Sequence, residues 1–224
     1  MRPGADQLGW LKLVLAPDLG PAQLDALEIE ADRLGSLPEC SDRELRRLGL
    51  QAQAIKSLHN IDPERLEAAL AWLDHPTHHF VIRPDAYYPP LLRRIPDAPL
   101  ALFVNGNPDW LLQPQIAVVG SRNATAGGLS IAREFAGRLS RAGLAVTSGL
   151  ALGVDAAAHG AAIEAGGATL AVAGTGPDQV YPARHRDLAL RIVDNGAVIS
   201  SFAPGVGPRA GHFPARNRII SGMS

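Results

Sequence analysis

The clearest chemical signal in the sequence is the turn Gly120-Ser121-Arg122, which follows the apolar run from Ile116 to Val119. A helical pattern begins near Gly128, so the turn joins a predicted buried strand to a helix. Backbone N–H groups at such a junction point above the sheet and favour an anion, usually a phosphate. Arg122 adds a guanidinium group that suits phosphate oxygens. The turn therefore predicts a phosphate site, with a plain tight turn as the alternative.

A second polar segment runs from Ser148 to His159 and contains Gly149 and Gly153. Asp155 and His159 are four residues apart and share one face of a predicted helix. They could form an acid–base pair, but no Ser or Cys nucleophile stands at a fixed relation to them. We therefore expect the two side chains to orient the loop through hydrogen bonds.

A third glycine-rich loop covers residues 174–182 and is followed by Arg184 and Arg186, which are possible DNA contacts. Asp178 in this loop is assigned to loop orientation. Tyr181 could stack on a base or pack on the loop, and the sequence leaves both open.

The densest polar cluster runs from His212 to Arg218, where Phe213 precedes Arg216 and Asn217. Arginine contacts to phosphate beside an aromatic platform are what single-strand binding requires, and stacking contributes ~1–3 kcal/mol per base. The alternative interpretation is a solvated helix start.

Several motifs of other function classes are missing. The turn lacks the Gly-x-Gly-x-x-Gly spacing, and Thr147-Ser148-Gly149 stands where a ribose-binding acid is expected. With no Gly-Lys-Ser/Thr loop either, a dinucleotide or a triphosphate is disfavoured. Cys40 is the single cysteine. His75, His78 and His79 could form a metal site, but no carboxylate or Cys partner stands at ligand spacing from them, so a solvated linker is preferred there. We assign no catalytic residue, no metal and no cofactor.

The composition divides the chain into an acidic and a basic part. Its 224 residues are 46% hydrophobic and 19% charged, as in globular proteins. Residues 1–110 carry 11 Lys and Arg against 16 Asp and Glu, whereas residues 111–224 carry 10 Arg against 6 acids. The second part therefore suits an anionic partner. Asp6 and Lys12 interrupt the first apolar residues and no apolar run is long enough for a membrane span, so we expect no membrane association and a cytoplasmic location.

The element pattern predicts a small all-helical domain over residues 1–74, similar to sterile-alpha-motif or helix-hairpin-helix modules. One of its helices is expected from Pro21 to Leu34, and Ser41 with Glu44 forms a predicted capping box. Residues 75–110 form a linker and edge strands that extend the main sheet. Residues 111–224 alternate strand and helix, which is typical of an α/β fold with a Rossmann-like, doubly wound, mostly parallel sheet. Ligands bind such sheets at the carboxyl ends of the strands.

Taken together, the four loops resemble the DNA-processing protein A family (DprA, also called Smf). The match covers residues 79–224 and also fits a helical module before them. The matching stretches are Gly120-Ser-Arg122, Ser148 to Asp155 with His159, Gly174 to Asp178 with Tyr181-Pro182, and Phe213 to Ile220.

This resemblance implies a non-catalytic protein of natural transformation that binds and protects single-stranded DNA, helps load the RecA recombinase and forms a homodimer. The family's site maps onto Ser121 and Arg122, the Gly149–Gly153 loop, and the Phe213–Arg218 segment. Some relatives carry a Lys where Leu152 stands here, and Arg184 or Arg186 are the candidate replacements. The family's sheet continues after the last helix, so the resemblance predicts a chain that ends part-way through the Rossmann-like domain.

A different function class stays open from the residues alone. Glycine-rich loops on such a sheet could bind a nucleoside monophosphate and cleave its glycosidic bond, as in Rossmann-like phosphoribohydrolases. Asp155 would then be the catalytic carboxylate, although the Pro-Gly-Gly-x-Gly-Thr loop of those enzymes is absent.

Overall fold

The computed structural model describes residues 5–27 and 31–224. Its first part is helical, as the sequence predicts. The helices are α1 (Ala5–Leu15), α2 (Pro21–Asp25), α3 (Asp42–Arg47), α4 (Ala52–His59) and α5 (Pro63–Leu73).

The predicted capping box is present at the start of α3. Glu44 N–H donates to the Ser41 hydroxyl, and the Glu44 carboxylate accepts a 2.8 Å hydrogen bond from Ser41 N–H. Two backbone donors that no helical carbonyl can reach are thereby satisfied, which fixes where the helix begins.

The single helix predicted from Pro21 to Leu34 is wrong. Helix α2 ends at Asp25, and Ala31–Glu39 forms a 3₁₀ segment, with residues 28–30 outside the described part. Leu34 and Leu37 are both buried, and their three-residue spacing puts them on one side of a 3₁₀ helix. The segment therefore reaches the core as a 3₁₀ helix, with both leucines on its buried side.

The second part is built on one six-stranded sheet. Its spatial order is β1-β2-β6-β5-β4-β3. Strands β3 to β6 are mutually parallel, whereas β1 and β2 pair antiparallel and extend the sheet beside β6. The strands are β1 (His78–Ile82), β2 (Ala101–Gly106), β3 (Gln115–Ala117), β4 (Ala145–Ser148), β5 (Thr169–Val172) and β6 (Gly196–Ser200).

Helices cover both faces of this sheet. Alternate residues of β5 belong to different cores, because Leu170 and Val172 pack with α9 residues while Ala171 packs with α8. The mostly parallel α/β fold with helices on both faces is therefore confirmed. The helices are α6 (Ala126–Arg141), α7 (Val154–Glu164), α8 (Arg186–Asn195) and α9 (His212–Met223).

Strand β3 is less buried than the sequence predicts. Ile116 is half-buried, and Val119 just beyond the strand is 58% exposed. The reason is position, since β3 is the outer strand and pairs only with β4 in the described sheet.

The helical part and the sheet share one hydrophobic core, in which Trp10 and Leu11 of α1 pack with Phe80 and Phe103 of β1 and β2. His78 and His79 are half-buried within β1 rather than in a solvated linker, and His78 stacks on Trp72 with ring centroids 3.9 Å apart. Over the described ranges, no group of three or more metal-ligating side chains is placed to hold an ion. Within the same ranges, no helix has the length and apolar character needed to cross a membrane.

Candidate nucleic-acid interface

The turn after β3 and the loop after β4 are packed directly on each other. Val154 N–H donates a 3.1 Å hydrogen bond to the Ser121 carbonyl. A Cβ at Gly120 would lie 2.8 Å from the Val154 side chain, and one at Gly153, whose φ is +75°, would collide with the Ser121 carbonyl. Only glycine fits at both positions, so the two loops are held as one surface.

The Asp155 carboxylate fixes the loop after β4 through hydrogen bonds to its backbone. One of its carboxylate oxygens accepts hydrogen bonds from Gly149 N–H at 3.1 Å and from Ala151 N–H at 3.3 Å, and the side chain is only 5% exposed. Between these amides, Leu150 has a φ of +58°, which is uncommon for a residue with a branched side chain. The carboxylate thus stabilises a loop conformation that the chain does not prefer by itself.

His159 is fully buried beneath the same loop. Its Nδ1 lies 2.7 Å from the Thr169 hydroxyl, which itself donates to the Val146 carbonyl. Since that hydroxyl has one proton, Nδ1–H of His159 must be the donor, and Nε2 then carries a lone pair without a hydrogen-bond partner. Burial, with smaller contributions from His185 and Arg216, lowers the pKa of His159 to about 3. Asp155 and His159 thus bond to different groups and do not assemble the acid–base pair considered above.

Arg216 is the residue that most changes the predicted site. It is 3% exposed, and its Nη1 donates to the Val172 carbonyl at 2.6 Å and to the Gly149 carbonyl. Burial lowers the pKa of Arg216, and the nearby Asp155 opposes that shift. A side chain at Gly149 would collide with this guanidinium. Arg216 therefore fastens α9 to the ends of β4 and β5 as well as facing the site.

Together these elements enclose a cavity of about 210 Å³ at the carboxyl ends of β3 and β4, here called the Arg122 cavity. Arg122 itself is exposed, so its guanidinium is available to a ligand. Five residues that the sequence assigned to the site line this cavity: Gly120, Arg122, Asp155, Arg216 and Asn217.

Aromatic side chains lie beside Arg122, which lines the cavity. The Arg122 guanidinium lies 5.3 Å from the centroid of the Phe213 ring, within cation–π range. Tyr181 packs against the same ring with centroids 5.6 Å apart, and it remains 49% exposed. Gly174 leaves room for Phe213, because a Cβ there would come 3.0 Å from the ring. The first, third and fourth predicted loops therefore meet at Phe213.

The structure does not bring every predicted residue to this place. Arg218 pairs with Asp97 at 3.2 Å and donates to the Pro96 carbonyl, away from the Arg122 cavity. Arg184 and Arg186 are exposed but line no part of that cavity.

Asp178 accepts from Gly205 N–H at 3.0 Å and so shapes the loop after β6. It therefore orients a neighbouring loop rather than the phosphate turn itself.

Two histidines with no predicted role of their own also hold the loops. His185 Nδ1 lies 2.9 Å from the Leu150 carbonyl, and His212 Nδ1 lies 3.2 Å from the Gly174 carbonyl. His185 stands between two arginines that were selected as possible contacts, so its position was a signal that could have been used.

The motifs that meet at this surface lie in the region that identifies the family of the chain. The family model for DNA recombination-mediator protein A matches residues 79–224. The chain belongs to this family. All four loops described above fall inside the matched region.

Curated relatives agree with this assignment. The chain is 40% identical over 181 residues to Protein Smf of Escherichia coli, an alignment that covers 80% of this chain and 48% of the relative. It is 45% identical over 139 residues to DNA processing protein DprA of Streptococcus pneumoniae, covering 62% of this chain and 49% of that protein. The chain thus spans about half the length of the curated relatives it matches.

Two solved structures share the fold. The X-ray structure of DprA from Streptococcus pneumoniae superposes with a TM-score of 0.77 at 32% identity, covering 100% of this chain and 76% of that one. The DprA structure from Helicobacter pylori gives a TM-score of 0.57 at 28% identity, covering 61% of this chain and 62% of that chain. The Helicobacter pylori protein is described as having a unique single-stranded DNA binding mode.

Proposed function

We propose that this chain binds single-stranded DNA across the carboxyl ends of β3 to β5. The observation that carries the proposal is the exposed guanidinium of Arg122, which lines the Arg122 cavity and lies over the Phe213 ring. A cation for the phosphate beside an aromatic face for the base is the arrangement that single-strand binding needs. The backbone N–H groups of the 120–122 turn add further phosphate donors.

The description of the Helicobacter pylori relative supports single-stranded DNA as the ligand. The wider role that we propose is binding and protection of incoming DNA in natural transformation, with loading of the RecA recombinase, in the cytoplasm and as a homodimer. This role is non-catalytic. One carboxylate oxygen of Asp155 accepts two loop amides, which favours a loop-positioning role for this residue over the catalytic role of the hydrolase alternative.

The test is fluorescence anisotropy of a labelled oligothymidine titrated with the protein at several salt concentrations. The logarithm of the affinity should fall with the logarithm of salt by about 0.7 for each phosphate neutralised. Arg122→Ala removes a charged donor and should weaken binding about ten-fold or more.

Arg138→Ala is the matched control, because Arg138 is an exposed arginine of α6 that pairs with Glu134 and lies outside the cavity. It removes the same charge and should leave affinity nearly unchanged. Full binding by Arg122→Ala, or an affinity that does not depend on salt, contradicts the proposal.

A further inference from the structure

A second cavity, here called the Phe202 groove, lies between the helical part and the sheet. Its volume is about 320 Å³, at the lower end of the range for small-molecule pockets. Apolar side chains form most of its walls, including Leu19 of the helical part and Phe202, which follows β6. The groove therefore opens at the same end of the parallel strands as the Arg122 cavity.

Helix α9 is a wall of both cavities. Ala215, Arg218 and Ile219 face the Phe202 groove, at the i, i+3 and i+4 spacing of one helix face. Arg216 and Asn217 line the Arg122 cavity instead. The two cavities are thus separated by the width of one helix.

Aromatic side chains at the start of α9 lie near both cavities. The Phe213 ring lies 5.3 Å from the Arg122 guanidinium, and the adjacent residue His212 stacks on Phe202 with ring centroids 4.1 Å apart and planes inclined by 22°. Phe202 in turn lines the second groove. Unstacked bases use aromatic ring faces as platforms.

A cationic side chain, Arg218, lines the Phe202 groove. Arg218 is 52% exposed, and its guanidinium pairs at 3.2 Å with Asp97, which is 45% exposed. Asp97 has a φ of +54°, so its carboxylate is presented by an uncommon backbone conformation. An exposed pair of this kind contributes little to stability. Arg218, which also donates to the Pro96 carbonyl, can therefore exchange the carboxylate for a phosphate.

We infer that the Phe202 groove is a second subsite that accepts one nucleobase of the same single strand, with Arg218 contacting the adjoining phosphate. This inference rests on the proposed function. The apolar walls bury the base. Ser201 and Asp97 also line the groove, and their side chains can hydrogen-bond to the polar edge of the base. Arg122 lies beside Phe213, and Arg218 lines the same groove as Phe202. An arginine near each of these rings favours a nucleic-acid strand over an apolar peptide, which would not need the second cation.

The decisive experiment is photo-crosslinking of an oligothymidine that contains 4-thiothymidine at one varied position, followed by trypsin digestion and mass spectrometry. Trypsin places Phe202 on residues 192–209, Phe213 on residues 210–216 and Arg122 on residues 95–122. We expect one thiothymidine position to crosslink to residues 192–209 while another crosslinks to residues 210–216 or 95–122.

Ala215→Phe should fill the groove from its exposed rim. It should abolish the crosslink to residues 192–209 and weaken oligothymidine binding about five-fold or more, since one stacked base is lost. Ala68→Phe, the same change at an exposed position of α5 that lines neither cavity, should alter neither readout.

The outcomes separate the two proposals. Crosslinks confined to residues 95–122 and 210–216 overturn the second subsite and leave the proposed function standing, whereas no oligothymidine binding by the unaltered protein overturns both. Unchanged crosslinks with an altered sedimentation coefficient for Ala215→Phe would identify the groove as a contact between copies of the chain and overturn the inference. If Ala215→Phe does not fold, the crosslink map of the unaltered protein decides.

Discussion

The Arg216 guanidinium fills the space that a side chain at Gly149 would need. The Arg216 guanidinium donates to the Gly149 carbonyl and lies where a Gly149 Cβ would have to be. The arginine comes from α9 and the glycine from the loop after β4, so this contact joins two elements that are distant in sequence. Nη1 of the buried guanidinium satisfies the carbonyls at the ends of two strands, while its Nε has no hydrogen-bond partner.

The first prediction concerns this contact. Gly149→Ala should lower the free energy of unfolding by about 2 kcal/mol, because the added methyl group must displace the buried guanidinium. Denaturant titration followed by circular dichroism measures the change. Gly160→Ala in α7 is the control, since a Cβ there meets nothing within 4 Å, and it should be neutral or stabilising by up to ~1 kcal/mol. Equal stability of the two variants would show that Arg216 is not held as described.

The second prediction concerns His159. Its pKa is about 3 in the folded protein against an ordinary value of 6.5, so the folded state resists protonation. Below pH 6.5 the unfolded chain gains a proton that the folded one does not, and stability falls as the pH falls. Between pH 6.5 and about pH 5 this histidine should reduce the free energy of unfolding by about 2 kcal/mol.

His159→Asn tests this assignment because its amide can still donate to Thr169 but does not titrate. Denaturant titrations at both pH values should give a smaller loss for the variant than for the unaltered protein. The other histidines, including His78 and His79 whose pKa values burial lowers, are present in both proteins and cancel. Parallel stability curves would contradict the assignment.

The third prediction separates Arg218 from its partner. Asp97→Asn should tighten oligothymidine binding at low salt and make the salt slope steeper by about 0.7, since a freed guanidinium can neutralise one more phosphate. Asparagine tolerates the φ of +54° at this position, so the backbone should not change. Anisotropy titrations at several salt concentrations give the slope.

Glu134→Gln provides the comparison, because it frees Arg138 on α6 in the same way and lies outside both cavities. Its salt slope should match that of the unaltered protein. A similar increase in both variants would show that overall charge, rather than the place of Arg218, determines the effect.

The fourth prediction concerns the helical part. Ser41→Ala removes the hydroxyl that accepts from Glu44 N–H and should cost about 1 kcal/mol of stability, whereas Ser41→Asn keeps an acceptor and should cost little. Thermal unfolding by circular dichroism distinguishes the two. A larger loss for the asparagine variant would exclude capping as the reason.

Much of the α/β part could be predicted from the sequence because its signals are local. The pattern of Ala145 to Ser148 predicts a strand, and these residues form β4. Because parallel strands place their carboxyl ends at the same edge of a sheet, the loops after them were expected to meet there. The error at Pro21–Leu34 arose because a pattern of apolar residues does not show whether the core will favour a 3₁₀ or an α-helical turn.

The burial of Arg216 was missed for a different reason. The Arg-Asn-Arg motif was treated as one basic cluster, but residues two apart on a helix point about 200° away from each other. Only one of the two arginines can face the Arg122 cavity, and the helical period alone would have separated Arg216 from Arg218. Which of them is inside depends on the carbonyls of Gly149 and Val172, which come from other strands.

Helix α9 also couples the ligand affinities of the two cavities it separates. Its buried Arg216 anchors one face, and Arg218 stands on the other, so a rigid rotation of the helix changes both cavities together. A ligand that shifts α9 on entering one cavity must alter the affinity of the other, and the reciprocal effect has the same free energy. Ligand binding in the two cavities is therefore coupled through the position of α9.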